Sequence, residues 1–268
     1  MLPIHAPQID EAEPTVVGQP KILGISSSGI VGPHMSFTEY FGRMFKYSQM
    51  DFDYTFAQMV YLCLSPSKVY QLTQYRKRTK GTWSRDDPCF IVVQGFFLAM
   101  AGWAYGICFA ETWWAQVRTF AYFFFLHFVV LGIVVSGMCL FVADKYLRKK
   151  TASVHSAAQP MEFLYAFDVH CNAFFPLFLL TYLVQFLALP LLYSDGLAAT
   201  ILANLLHLFA VVYYCYIVSL GYNTLPFIDR AEIFMAPAVA FGVLAVVLTV
   251  FSRTNLTIIF VEWTTGVL

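Results

Sequence analysis

Residues 85–111 read RDDPCFIVVQGFFLAMAGWAYGICFAE. A charged, proline-stopped opening gives way at Cys89 to an uncharged run that lasts to Ala110. A helix rises 1.5 Å per residue, so about 20 such residues cross the roughly 30 Å hydrocarbon core of a bilayer. This run is therefore long and apolar enough to be a transmembrane helix, and the polar RDDP sits where a helix entering lipid needs its cap. Asp86 and Asp87 can cap the span, with Pro88 at its first position, or pair with Arg85.

Four more apolar stretches follow: about Phe120 to Val142, Ala173 to Leu192, Leu197 to Leu220 and Ile233 to Phe251. The chain of 268 residues is 59% hydrophobic and 12% charged, against about 25% charged in soluble domains. Soluble classes are excluded by this balance. The six cysteines form no CxxC pair, which argues against a disulfide framework or zinc ribbon. The first 20 residues lack the basic and apolar regions of a cleaved signal peptide. The expectation is an all-α polytopic membrane protein with five transmembrane helices preceded by amphipathic cytosolic helices.

Four regions are expected on this basis. Residues 1–35, rich in Pro, Gly and Ser, read as a disordered cytosolic tail. Residues 36–87 read as an amphipathic helical cytosolic region: Ser36 and Glu39 form a capping box, and periodic runs follow, one from Phe52 to Leu64 and another from Ser67 after the Ser65-Pro66 break. These runs are too polar to span and suit helices lying on the bilayer surface. Residues 88–251 carry the five spans, and residues 252–268 form a short lumenal tail. With the N-terminus in the cytosol, 14 of the 16 basic residues fall on the cytosolic side and only Arg118 and Arg253 do not, the asymmetry that orients membrane proteins. Asn255-Leu256-Thr257 would then be a lumenal glycosylation sequon, close to the membrane.

The polar residues suggest binding more than chemistry. Arg76, Lys77, Arg78 and Lys80 form a basic patch facing anionic lipid next to the first span. In AFDVHCNAFFP (166–176), Asp168 and Asn172 share a helix face while His170 points elsewhere. That stretch reads as a hydrogen-bonded polar cluster at the interface, with a headgroup or ligand site and a metal or catalytic centre as alternatives. No paired Cys/His spacing, HExxH, P-loop or GxSxG supports metal, cofactor or acyl-transfer chemistry. His127 and His207 fall inside spans, where ionisable groups are functional candidates. No acidic or basic partner lies deep in any span, so helix packing is the simpler role.

The strings FKYSQMDFDYTFAQMVYLCLSPSKVY (45–70), YRKRTKGTWSRDDPCF (75–90), YAFDVHCNAFFP (165–176) and LGYNTLPFI (220–228) closely resemble the signature segments of the Unc-fifty (uncoordinated-fifty) family. The resemblance runs from about residue 38 to about 251. It implies a five-span, non-enzymatic protein of Golgi membranes, found also at the inner nuclear membrane, that acts in vesicle-mediated protein transport. Implied partners are an Arf guanine-nucleotide exchange factor, recruited to the membrane, and oligomeric receptors, assembled and delivered to the surface. RNA binding is also attributed to the family, and only the basic patch could carry it. No cofactor or catalytic residue is implied. The matching residues gather on one side of the expected topology: Gln49, Met50, Asp51, Trp83, Arg85, Asp86, Asp87, Asp168, His170, Asn172, Tyr222 and Pro226. They are expected to form a cytosolic platform for a coat regulator or client. Alternatives are a small transporter or channel using His127 or His207, and an interfacial lipid-acting enzyme using Asp168 and His170.

Overall fold

The computed structural model describes residues 50–149 and 161–266, together with Gly42 and Met44. The expected tail 1–35, the capping box at Ser36, the helical run after it save Met44, and Gln49 lie outside these residues.

Helix α1 (Phe52–Leu64) starts where Asp51, in extended backbone, accepts the Tyr54 N–H at 2.9 Å. Thr55, Gln58, Met59 and Leu62 recur at helical spacing and turn inward. On the other side Phe56, Val60 and Leu64 form an exposed stripe. Ser65 breaks the helix because Pro66 follows, and proline then opens α2 (Pro66–Lys80) at a position that needs no N–H. Helix α2 ends on Gly81 with φ +77°, a left-handed conformation suited to glycine. Its last turn carries Lys77, Arg78 and Lys80, cations placed at the negative end of the helix dipole.

Five helices are long and apolar enough to cross a membrane: α3 (Cys89–Phe109), α4 (Trp113–Tyr146), α5 (Phe163–Leu187), α6 (Leu197–Asn223) and α7 (Ala231–Ser252). Together with the helical content throughout, they bear out the expected all-α, five-span class. Helix α5 is the centre of the bundle: its most apolar window is 78% buried, against 17% for α4 and α7. The outer faces of α4 and α7 display Phe125, Val134, Met138, Val243, Val250 and Phe251. In water such faces would be a liability, whereas lipid is their natural solvent.

Helices α3 and α4 form a tight hairpin. A Cβ at Gly102 would lie 3.1 Å from the Phe120 Cα, and one at Gly106 would lie 3.2 Å from the Gln116 Cα. The two backbones are in contact there because neither position has a side chain. Gly137, farther along α4, faces open space.

Two boundaries differ from those read in the sequence. Helix α4 begins at Trp113, before the expected Phe120, because Thr112 caps it through the Ala115 N–H. The early turns carry Arg118, which donates to the Thr265 carbonyl at 2.9 Å. Helix α5 begins at Phe163, ten residues before the expected Ala173, because the polar residues of DVHCN find partners inside the bundle and the helix runs through them. Asp168 therefore sits more than a turn inside α5 and does not cap it. Short π-wound segments interrupt α4 at Tyr122–Val130 and α5 at Leu179–Val184, and the two meet where His127 Nδ1 lies 2.6 Å from the Tyr182 hydroxyl.

The region expected as a tail contains α8 (Leu256–Thr265), whose Val261 and Thr257 are fully buried. Asn255 caps it by accepting the Thr257 and Ile258 N–H groups, while its amide nitrogen donates to the Leu192 and Ser194 carbonyls. At the other end of the bundle, residues 147–149 lie antiparallel to 226–229. Lys149 N–H donates to the Phe227 carbonyl at 3.0 Å, and Asp229 N–H to the Leu147 carbonyl at 2.8 Å.

Candidate functional site

The signature segments converge at one end of the bundle. Arg85 is the pivot. Its backbone N–H donates to Asp168 at 2.5 Å, and its guanidinium Nη2 donates to the Asn172 carbonyl oxygen. The guanidinium carbon also stands 4.0 Å from the centre of the Phe90 ring, a favourable cation–π geometry. Arg85, Asp168 and Asn172 are all buried. A buried charge is tolerated only when its polar atoms are paired, and here one helix face of α5 meets the cap of α3 to pair them. The spacing of Asp168 and Asn172 predicts that shared face, and the structure brings both onto Arg85.

Asp87 fixes the start of α3. Its Oδ1 accepts the Cys89 N–H at 2.9 Å, and its Oδ2 accepts the Asp51 N–H at 3.0 Å, tying α1 to the first span. Pro88 stands one residue before the helix rather than at its first position. Asp86 pairs with Lys80 at 2.7 Å, not with Arg85. The basic patch thus splits by role: Lys77 donates to the Gly81 carbonyl and lies over Trp83, Lys80 is held by Asp86, and Arg76 and Arg78 complete it.

His170 does point elsewhere. Its Nδ1 is 2.7 Å from the Tyr214 hydroxyl on α6, and its ring packs where a Cβ on Gly132 of α4 would sit 3.1 Å from Nε2. Asp168 and His170 therefore serve different seams of α5 and form no dyad. Trp83 stacks edge-on to Tyr165, whose hydroxyl donates to the Gly221 carbonyl. Tyr222 is fully buried and stacked on Phe234 at 4.4 Å. Tyr70 of α2 reaches the Ile217 carbonyl at 3.1 Å. Burial pushes its phenol well above the ordinary range, so it remains a protonated donor.

Of the expected platform residues, Trp83, Arg85, Asp168, His170, Asn172 and Tyr222 are buried. They lie beneath the surface on which a protein partner would dock. Asp51 and Pro226 are exposed, and Met50, Asp86 and Asp87 are half-buried. The site is a rim around a buried polar core in which Arg85 Nη1, Asp168 Oδ1, His170 Nε2 and the Tyr222 hydroxyl have no hydrogen-bond partner among the described residues. Sequence reasoning missed Tyr70, Tyr165 and Tyr214, because a tyrosine near an apolar segment carries no signal that its hydroxyl serves a distant helix. It also missed a cavity of about 220 Å³ between α1, the end of α2 and the start of α3, lined by Asp51, Tyr54, Thr55, Gln58, Arg76, Lys80, Arg85, Asp86, Asp87 and Phe90.

The intramembrane histidines occupy the opposite part of the bundle. His207 Nδ1 donates to the Ala203 carbonyl within its own helix. The rings of His127 and His207 lie 6.1 and 6.3 Å from that of Phe260 on α8, so both pack against the same aromatic residue. Among the described residues no cluster of three metal-ligating side chains occurs.

The model of the UNC-50 family matches residues 40–265. The chain is 42% identical over 229 residues to a protein unc-50 homolog of Dictyostelium discoideum, covering 85% of this chain and 87% of that one. It is 36% identical to the Mus musculus homolog and 34% identical to the Homo sapiens homolog, in both cases over 74% of this chain and 76% of the relative. No solved structure matches. The match extends to residue 265 and so takes in α8, beyond the end of the resemblance at about residue 251.

Proposed function

Since the chain belongs to the UNC-50 family, we propose that it is a non-enzymatic Golgi membrane protein of vesicular protein trafficking. In this reading its N-terminus is cytosolic and its C-terminus lumenal. It supports recruitment of an Arf guanine-nucleotide exchange factor and assembly or surface delivery of oligomeric receptors. A second location at the inner nuclear membrane belongs to the same reading.

The observation that carries it is the convergence of four signature segments on one end of the bundle, joined to one another by hydrogen bonds. A catalytic centre needs polar groups aimed at a substrate. Here Asp168 and His170 diverge, which disfavours an interfacial enzyme built on them. What such a core supplies instead is a rigid rim, and rigid presentation of exposed groups suits docking. Packing of both histidine rings against Phe260 disfavours a water-filled path along them. The binding of Lys77 and Lys80 to neighbouring groups weakens the case for RNA.

The test uses the rim, because charge reversal in the core would disrupt folding. Asp229→Lys with Glu232→Lys reverses two exposed charges that neither cap α1 nor line the cavity. The expected result is loss of most Golgi recruitment of the exchange factor at unchanged protein level. Full recruitment by the stably expressed variant would remove the docking role.

A further inference from the structure

We propose that the cavity beside Arg85 and the apolar groove below it form one binding site for a single glycerophospholipid of the leaflet on the basic side, its phosphodiester on Arg85 and Arg76 and one acyl chain along α3. The inference does not depend on the docking reading, since it concerns lipid alone.

Three observations converge on it. The first is Arg85 itself. The residue is buried and lines the cavity, and it holds Asn172 through Nη2, while Nη1, enclosed among protein atoms behind the cavity wall, has no hydrogen-bond partner. A buried guanidinium nitrogen is costly to leave unpaired, and a phosphate oxygen is its best complement. The carboxylates in the same wall are already engaged: Asp87 by two backbone N–H groups, Asp51 by the α1 cap, and Asp86 by Lys80. With Lys80 held by Asp86, Arg76 and Arg85 are the cations of the lining left to meet a ligand. The lining holds three cations and three carboxylates, so it recognises the phosphodiester rather than the net charge of a headgroup.

The second is continuity. A separate groove of about 360 Å³ runs between α3 and α5, lined among others by Phe97, Ala101, Ala104, Leu183 and Phe186. Phe90 of the cavity and Phe97, Ala101 and Ala104 of the groove are spaced by seven, four and three residues, which puts them on one face of α3. Phe97 lies roughly 10 Å along the helix from Phe90, within one leaflet's depth of about 15 Å. The small side chains of Ala101 and Ala104 leave the trough that an acyl chain fills.

The third is α1, which walls the cavity and touches the first residue of the groove. Asp51, Tyr54, Thr55 and Gln58 wall the cavity, and Phe56 meets Phe97 at 6.5 Å between ring centres where the groove begins.

The full-length protein in nanodiscs would be photolabelled with a phosphatidylcholine bearing a mid-chain diazirine, and the labelled peptides mapped. Label is expected to concentrate on residues 97–104 and 179–187. Arg76→Gln with Lys80→Gln, at partly exposed positions that leave the core intact, should lower it roughly ten-fold. A diacylglycerol probe with the same chains should label as weakly as that variant, and Ala104→Phe should empty the groove. Labelling spread evenly over all spans, equal labelling by diacylglycerol, or indifference to the double variant would mean annular lipid only and overturn the proposal. Loss of label with millimolar inorganic phosphate would assign the cavity to free phosphate and also overturn it; persistence supports the lipid.

Discussion

Arg85 performs three tasks that ordinarily fall to separate residues: its backbone orients Asp168, its guanidinium holds Asn172, and its flat face covers Phe90. Arg85→Met should cost about 3–5 kcal/mol, because it strips a buried polar group of its partner. Thermal unfolding of the purified protein checks this, and an unchanged midpoint would show that the guanidinium contributes nothing. Asn255 illustrates the reverse case, a motif cancelled by structure. The sequon is intact in the sequence, yet its amide nitrogen donates to two carbonyls and the residue is buried. No gel shift is expected on N-glycosidase treatment of protein from cells. Asn255→Ala should destabilise by about 0.5–2 kcal/mol through the lost cap alone, measurable as a lower unfolding midpoint. The linear motif gives no hint of this, since capping and sequon chemistry ask for the same residue type.

Among the elements, α1 shows what periodicity can and cannot reveal. Its limits, Phe52 and Leu64, are legible from the Asp51 cap and the Ser65-Pro66 stop. Which of its two apolar stripes meets protein and which meets lipid is not, because Met59 and Leu62 look no different in sequence from Phe56 and Val60. The structure turns Phe56, Val60 and Leu64 outward, as expected of a helix resting in a bilayer interface. Leu64→Trp should then show blue-shifted emission and strong quenching by brominated lipid in nanodiscs. Emission typical of water, unaffected by bromine, would lift α1 off the membrane. The same limit explains the α5 boundary. Hydropathy ends a span at its first polar residues, whereas the helix ends only where its backbone loses partners, and Asp168 and Asn172 are partnered.

For the whole molecule, the number of spans was legible because each apolar run approaches the bilayer's thickness. The convergence of RDDP, DVHCN and YNTLPFI on one end follows from that number, since zero, two and four crossings precede them and an even number of crossings returns the chain to the same side. Their mutual hydrogen bonds do not follow from it. Cysteine scanning tests the arrangement in sealed Golgi vesicles: a cysteine at Asn223 should react with an impermeant maleimide from outside, and one at Asp195 only after permeabilisation. The opposite pattern would invert the molecule, and reaction of both would break the five-span topology. The antiparallel pairing of residues 147–149 with 226–229 has a further mechanical result. It couples the end of α4 to the approach of α7, the two helices most exposed to lipid. Tension applied to either loop is shared by both, so anything that grips this end pulls on a closed strap and not on a loose thread.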